Sequence, residues 1–415
     1  MNALSQSWMP ASTMLPKRRA PADRHVRSES RGREHRTASY VVRYSATRQV
    51  QARRHSGGCV GRSANEKRNG VPLIHGASNL PSVTVDDYNL ELRDGDGFLG
   101  DRANKFAFQE KLDAWRKRVR KGGDDPLGQA LTQDLSKKQV DALLRGDDKE
   151  AAALIMGAVD EFAGELASVL ERFLQQKSWK NTERVVIGGG FRGSAAGELA
   201  IARAMVLLKA EGIKTELSPI VHHPDDAGLI GAAHLMPAWM LKGHKAILAI
   251  DIGGTNIRVG IVELRLKDET DFSKAKVWKS DIWRHADDKP NRSATIEGLI
   301  GMIEKLIAKA DKADLAPAPV IGIACPGVIN EDGSILRGGQ NLPGGNWESE
   351  HFNLPAVLKE AIPQIGDHET FVIMHNDAVV QGLSQIPFVQ NASSWGILTI
   401  GTGLGNAHFS NKVEN

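Results

Sequence analysis

Asp251-Ile252-Gly253-Gly254-Thr255-Asn256 places two adjacent glycines directly after the apolar run at residues 246–250. Glycines at such a turn let backbone N–H groups approach an anion with no Cβ in the way, and Thr255 and Asn256 add side-chain donors. Asp251 is a poor phosphate ligand, and its charge suits a hydrated Mg²⁺ carried on a nucleotide. Gly401-Thr402-Gly403-Leu404-Gly405 follows a second apolar run and can cradle further phosphates, and Gly188-Gly189-Gly190 follows a third. His375-Asn376-Asp377 supplies what phosphoryl transfer to an alcohol needs. Asn376 can donate to and accept from a hydroxyl, and Asp377 can take the hydroxyl proton as that oxygen attacks. Gly327, after Cys325-Pro326, and the run from Gln340 through Asn341 to Trp347 offer further hydroxyl-binding loops. Each motif has a plainer reading when taken alone: a glycine hairpin, an Asx turn or a helix cap.

The elements that must hold these residues can be read from periodicity. Apolar runs at residues 184–187, 246–250, 320–324, 371–374 and 396–400 predict short buried strands, each running into a turn of small or polar residues, with 257–264 as the hairpin partner of 246–250. Phe108, Leu112, Trp115 and Val119 predict a helix over 106–119. Ile155, Val159, Phe162, Leu166, Val169 and Phe173 predict a long one, and 198–210 a third, stopped by Gly212. Residues 294–309 predict another, with Ser293 as its N-cap. Strands alternating with helices indicate an α/β architecture, in which ligands sit beyond the carboxyl ends of strands. No repeat of 20 to 50 residues is visible, although three of the strands share the join to a glycine turn.

At 415 residues and 41% hydrophobic content the chain can bury a large core in two or three units. No window has the roughly 18 apolar residues of a membrane span, and the N-terminus lacks the apolar core of a secretion signal, so a reducing, cytoplasmic setting is expected. Cys59 and Cys325, the only two cysteines, cannot build a disulfide framework or a four-cysteine zinc site. No structural zinc is expected, and His222-His223 with Asp225-Asp226 is the only local cluster of metal-ligand types. The net charge of +3 hides an asymmetry: residues 1–70 hold 15 Lys+Arg against 4 Asp+Glu, leaving the remainder mildly acidic. Arginines mixed with Ser, Gly and Ala, without apolar periodicity, predict a disordered tail, and nucleic acid is not an expected partner.

Taken together, Asp251-Ile-Gly-Gly-Thr-Asn, Ala324-Cys-Pro-Gly-Val, Asn341-Leu-Pro-Gly-Gly-Asn-Trp, Asn376-Asp-Ala and Gly401-Thr-Gly-Leu-Gly resemble the successive motifs of ROK-family sugar kinases, over residues 245–407. The resemblance implies a two-lobed actin/hexokinase-like, ribonuclease H-like α/β fold and a glucokinase-like, ATP-dependent phosphorylation of a hexose with Mg²⁺. It assigns phosphate binding to Gly253, Gly254, Thr255, Asn256, Gly401, Thr402 and Gly403. Sugar binding falls to Asn341, Asn376 and Gly327, and the base is Asp377. Residues 185–233, with Gly189 and Gly190, are similar to the family's last segment, its adenosine side, yet here they precede the first phosphate motif. The implied arrangement is a circular permutation. It divides the chain into a tail (1–75), a first part of the large lobe (76–236), a small lobe (237–370) and a second part of the large lobe (371–415). The family's Gly-Glu-x-Gly-His element and zinc loop are not recognisable. Residues 72–105 are expected to fill that space, without a match for Glu91, Asp94 or Asp96, and His375 stands where the family usually has Glu. A homodimer is allowed for. The alternative is a non-catalytic sugar-sensing protein of the same family, which need not keep the phosphate turns and Asp377.

Overall fold

The computed structural model describes residues 74–412 other than Asp96. The tail expected over residues 1–75 therefore lies outside the described residues except at its last two positions. Two five-stranded sheets carry the fold. The first contains β1 (Val83–Tyr88), β2 (Arg184–Gly188), β3 (Glu216–Pro219) and two strands from the far end of the chain, Ser394–Ile400 and Leu404–Asn411. The second contains β4 (Ala246–Ile252), β5 (Ile257–Glu263), β6 (Lys276–Trp283), β7 (Pro317–Cys325) and β8 (Phe371–Asn376). The far-end strands are β9 (Ser394–Ile400) and β10 (Leu404–Asn411).

The two sheets share one strand order. In the second, β4 pairs antiparallel with β5 and β5 with β6, while β7 lies parallel to β4 and β8 parallel to β7. In the first, β9 pairs antiparallel with β10 and β10 with β1, while β2 lies parallel to β9 and β3 parallel to β2. Position for position, β9 corresponds to β4, β10 to β5, β1 to β6, β2 to β7 and β3 to β8. The first sheet thus begins in sequence at its third strand and ends with its first two. This is the two-lobed α/β architecture expected.

Burial on both faces explains why the strands read as continuous apolar runs rather than alternating ones. All seven residues of β4 are buried, with Ile247 and Ala249 facing one core and Leu248, Ile250 and Ile252 another. Helices α1 (Lys105–Val119), α2 (Lys137–Arg145), α3 (Lys149–Leu174) and α4 (Ala195–Ala210) form, with Val185, Ile187 and Ile400, the core on the outer face of the first sheet. Between the sheets lie α5 (Pro224–Gly231) and, after β8, a short helix at Asp377–Leu383; Leu229, Ile230, Val379 and Leu383 fill that central core. The outer face of the second sheet is covered by α6 (Arg292–Lys312) and α7 (Leu354–Ala361), which makes the Asp377–Leu383 helix α8.

Three local expectations need correcting. The N-cap of α6 is Asn291, whose side chain accepts from the Ala294 N–H at 2.9 Å, so Ser293 already lies inside the first turn. Residues 371–376, expected at the start of the last segment, are β8 and pair with β7, so the chain leaves the second sheet at Asn376 rather than at 370. Helix α5, expected with the first lobe, packs on α8 and on β4 and β5 of the second sheet.

Candidate active site

The turn from β8 into α8 sets the position of Asp377. Asn376 is 1% exposed, and its Oδ1 accepts from the N–H groups of Ala378 at 2.9 Å and Val379 at 3.2 Å, capping the helix. Its Nδ2 donates to the carbonyl of Gly327 at 2.9 Å. Asn376 thus serves as a cap and a tether, and it is not among the residues that line the cleft described below. His375 is equally committed. Its Nδ1 accepts from the Asn376 N–H at 2.7 Å, which leaves Nε2 to donate to the Ala77 carbonyl at 3.1 Å, and burial pushes its pKa down to about 4. Asp377, two residues beyond His375, is half-buried and opens into the cleft. Burial, and then the charge of Asp251, push its carboxyl up to about 6, against the pull of the Ala378 N–H, which donates to Oδ1 at 2.9 Å.

The glycine turns converge on the same place. In the β4–β5 hairpin the Gly253 N–H donates to the Asn256 carbonyl at 2.9 Å, and the Gly253 carbonyl lies 2.8 Å from Nε2 of His285. A Cβ on Gly254 would lie 3.2 Å from Oγ1 of Thr402 and 3.5 Å from Cβ of Asn341, so the hairpin, the β9–β10 turn and the loop after Gln340 meet at one point. The β9–β10 turn is closed by the Gly401 N–H donating to the Gly403 carbonyl at 2.9 Å. Gly189 has φ +82°, and a Cβ there would lie 2.5 Å from the backbone N and O of Ile400. Only glycine lets the β2 turn press against the end of β9.

Together these elements enclose a cleft of roughly 610 Å³. It is lined by Asp251, Gly253, Gly254, Thr255, Asn256, Gly327, Asn341, Asp377, Gly401, Thr402, Gly403, Gly189 and Gly190. Every site residue expected from sequence is present there except Asn376. Sequence reasoning missed others on the same walls: Asn89 and Glu91 just after β1, Lys105, Lys137, Arg258, Arg284 and Gln381. Gln381 stands one helical turn beyond Asp377, a spacing that could have flagged it. Its buried Oε1 has no hydrogen-bond partner among the described residues. Glu91 pairs with Arg337 at 3.1 Å, while Asp94 pairs with Arg102 at 2.9 Å.

Asp251 is 4% exposed, and burial raises its pKa against the opposing charge of Arg258. Arg258 reaches Oδ2 at 3.4 Å and also pairs with Asp225, which lines the cleft too. The second oxygen of Asp251 has no partner among the described residues. An oxygen-only donor pair of Asp251 and Asp225 fits a hard, hydrated cation such as Mg²⁺. Among the described residues no group of three or more His, Cys, Asp or Glu converges as a metal site, so most ligands of such an ion would be water and phosphate oxygens.

No protein-family model matches the chain, and no curated protein sequence does. Among solved structures the chain is similar to a ROK hexokinase from Thermus thermophilus, with 22% identity over 39% of this chain and 45% of that one, at a TM-score of 0.29. It is similar to an assigned sugar kinase from Cytophaga hutchinsonii, with 18% identity over 41% of this chain and 50% of that one, at a TM-score of 0.31. A third is a protein from Listeria monocytogenes assigned as an N-acetylmannosamine kinase, with 23% identity over 40% and 47% and a TM-score of 0.29. The likeness is partial. It spans about half the length of each of those proteins. No helix among the described residues is long and apolar enough to cross a membrane.

Proposed function

We propose that the chain is an ATP-dependent sugar kinase of ROK type whose lobes are connected in circularly permuted order. The observation that carries this reading is the position of Asp377, a carboxylate on the wall of one cleft that is also bounded by the two glycine turns at residues 253–256 and 401–403. The cyclic shift of strands in the first sheet supports the permuted order, because joining residue 411 to residue 83 in thought would restore the order of the second sheet.

In this reading the nucleotide phosphates lie against the backbone N–H groups of the two turns, with Thr255, Asn256 and Thr402 as side-chain donors and Gly189 and Gly190 on the adenosine side. Mg²⁺, held by Asp251 through water, would offset charge on the phosphates. The hexose occupies the part of the cleft lined by Asn341, Gly327, Asn89 and Glu91. Asp377 accepts the proton of the attacking hydroxyl while the new oxygen–phosphorus bond forms and the bond to ADP breaks. A carboxyl raised to about 6 remains mostly ionised at neutral pH and is a stronger base than an ordinary carboxylate. Asn376 serves this step by fixing the start of α8, so it is a positioning residue. Asn89 and Glu91, the latter held by Arg337, would take the place of the sugar-binding element that is not recognisable in the sequence.

The test is release of ADP by the full chain with a panel of hexoses and N-acetylhexosamines, repeated with Asp377→Asn. That substitution keeps shape and removes proton affinity, and turnover should fall by about 10² to 10⁴ with ATP affinity unchanged. Full activity in Asp377→Asn would show that another group is the base, and no ADP with any sugar would favour the non-catalytic sugar-sensing alternative.

A further inference from the structure

Lys105, Lys137 and Arg284 line the cleft from separate elements, and none belongs to a motif discussed so far. Lys105 opens α1 and Lys137 opens α2, both on the first lobe, whereas Arg284 follows β6 at the edge of the second sheet. We infer that these three side chains form a cationic grip, built from both lobes, for the terminal phosphates of a polyphosphate donor. The inference rests on the kinase reading for its biological use, while the site itself rests on the charges and their surroundings.

Two observations favour an anionic ligand over a merely solvated basic edge. Apart from Asp377, the acids on the cleft walls have partners of their own: Asp225 and one oxygen of Asp251 with Arg258, Glu91 with Arg337, and Asp141 with the N–H groups of Ala195 and Ala196. The lysines have no carboxylate partner among the described residues. The Lys105 ammonium contacts the ring of Phe106, at 4.8 Å from its centroid, while Arg284 pairs with Asp287, an exposed neighbour on its own segment, at 2.9 Å. Burial lowers the pKa of Lys105, and the charges of Arg284 and Lys137 lower it further, so Lys105 is repelled by both when no anion is present.

The second observation is that one carbonyl in each of two glycine turns is covered from the same two helices. Lys137 Nζ donates to the Gly190 carbonyl at 2.5 Å, and the Lys105 N–H donates to the Gly401 carbonyl at 3.0 Å. A carbonyl oxygen facing a phosphate would repel it, and these contacts occupy two such oxygens while bringing positive charge beside the turns. The donor chemistry that fits is a chain of two or more phosphates, since the cations come from both lobes and the two glycine turns line the same cleft. Bound, it would tie the lobes together through Arg284.

The test uses inorganic tripolyphosphate and the full chain, with binding followed by calorimetry, and compares native protein with Lys105→Gln/Lys137→Gln/Arg284→Gln. Because residues 1–70 hold 15 Lys+Arg against 4 Asp+Glu, the quantity read is the component lost in the triple variant. Each charge-assisted contact removed should weaken that component about tenfold, and the triple variant should lose it by more than about 10². Lys137→Arg should retain it, and the triple variant should remain folded with a melting temperature near that of native protein, because the lost Lys137–Gly190 and Arg284–Asp287 contacts are exposed and are offset by relief of repulsion at Lys105. Equal tripolyphosphate binding by native and triple-variant protein would overturn the grip, even if sugar is phosphorylated. Loss of binding in the triple variant, with no sugar phosphorylated by native protein, would keep the grip and sink the kinase reading.

Discussion

Asn376→Ala separates a positioning role from a ligand-contact role. The substitution removes the N-cap of α8, which costs about 1 kcal/mol, within a usual range of about 0.5–2. It also leaves the buried Gly327 carbonyl without its donor, at about 1–3 kcal/mol. The expected loss of folding stability is about 2–4 kcal/mol, measured as a lower urea midpoint with an unchanged slope. Asn376→Ser keeps a capping oxygen and loses the tether, so it should lose only about 1–3 kcal/mol. Because Asp377 is the first residue of the helix that Asn376 caps, loosening that turn should lower kcat by about tenfold to a hundredfold while KM for sugar moves little. An Asn376→Ala protein as stable as native, with a raised sugar KM and unchanged kcat, would refute this reasoning and make Asn376 a hydroxyl contact after all.

Asp377 titrates near 6, so kcat/KM should fall about tenfold per pH unit below that point, and the limb should vanish from the residual activity of Asp377→Asn. His375 and His234 have pKa values lowered by burial to about 4 and about 3. The unfolded chain takes up those protons near pH 6.5, so stability should be full above that pH and decline as pH falls toward 4, measured by urea midpoints across the range. Gly231→Ala would put a Cβ 1.8 Å from the Val380 carbonyl where α5 crosses α8, and a backbone clash of that size should cost more than about 3 kcal/mol, seen as loss of soluble folded protein.

The parts legible in sequence were those whose cause is local. An apolar strand running into Gly253-Gly254, or into Gly401-Thr402-Gly403, declares itself because turn geometry and the absence of Cβ are properties of a few consecutive residues. The Asn376-Asp377 pair was equally visible, but its division of labour was not. Cap and hydroxyl contact use the same amide, and the presence of the Gly327 carbonyl 2.9 Å away is a fact of tertiary packing. Periodicity likewise foretold that α1 and α3 bury one face, though not that they cover the first sheet. The pairing of β1 with β10, some 320 residues apart, decided that Asn89 and Glu91 reach the cleft. The docking of α1 and α2 beside the glycine turns brought Lys105 and Lys137 to it. Such placements depend on which surfaces meet after the chain has folded back on itself, and hydrophobic burial, which drives that meeting, is non-directional and leaves no mark of its partner in the local sequence.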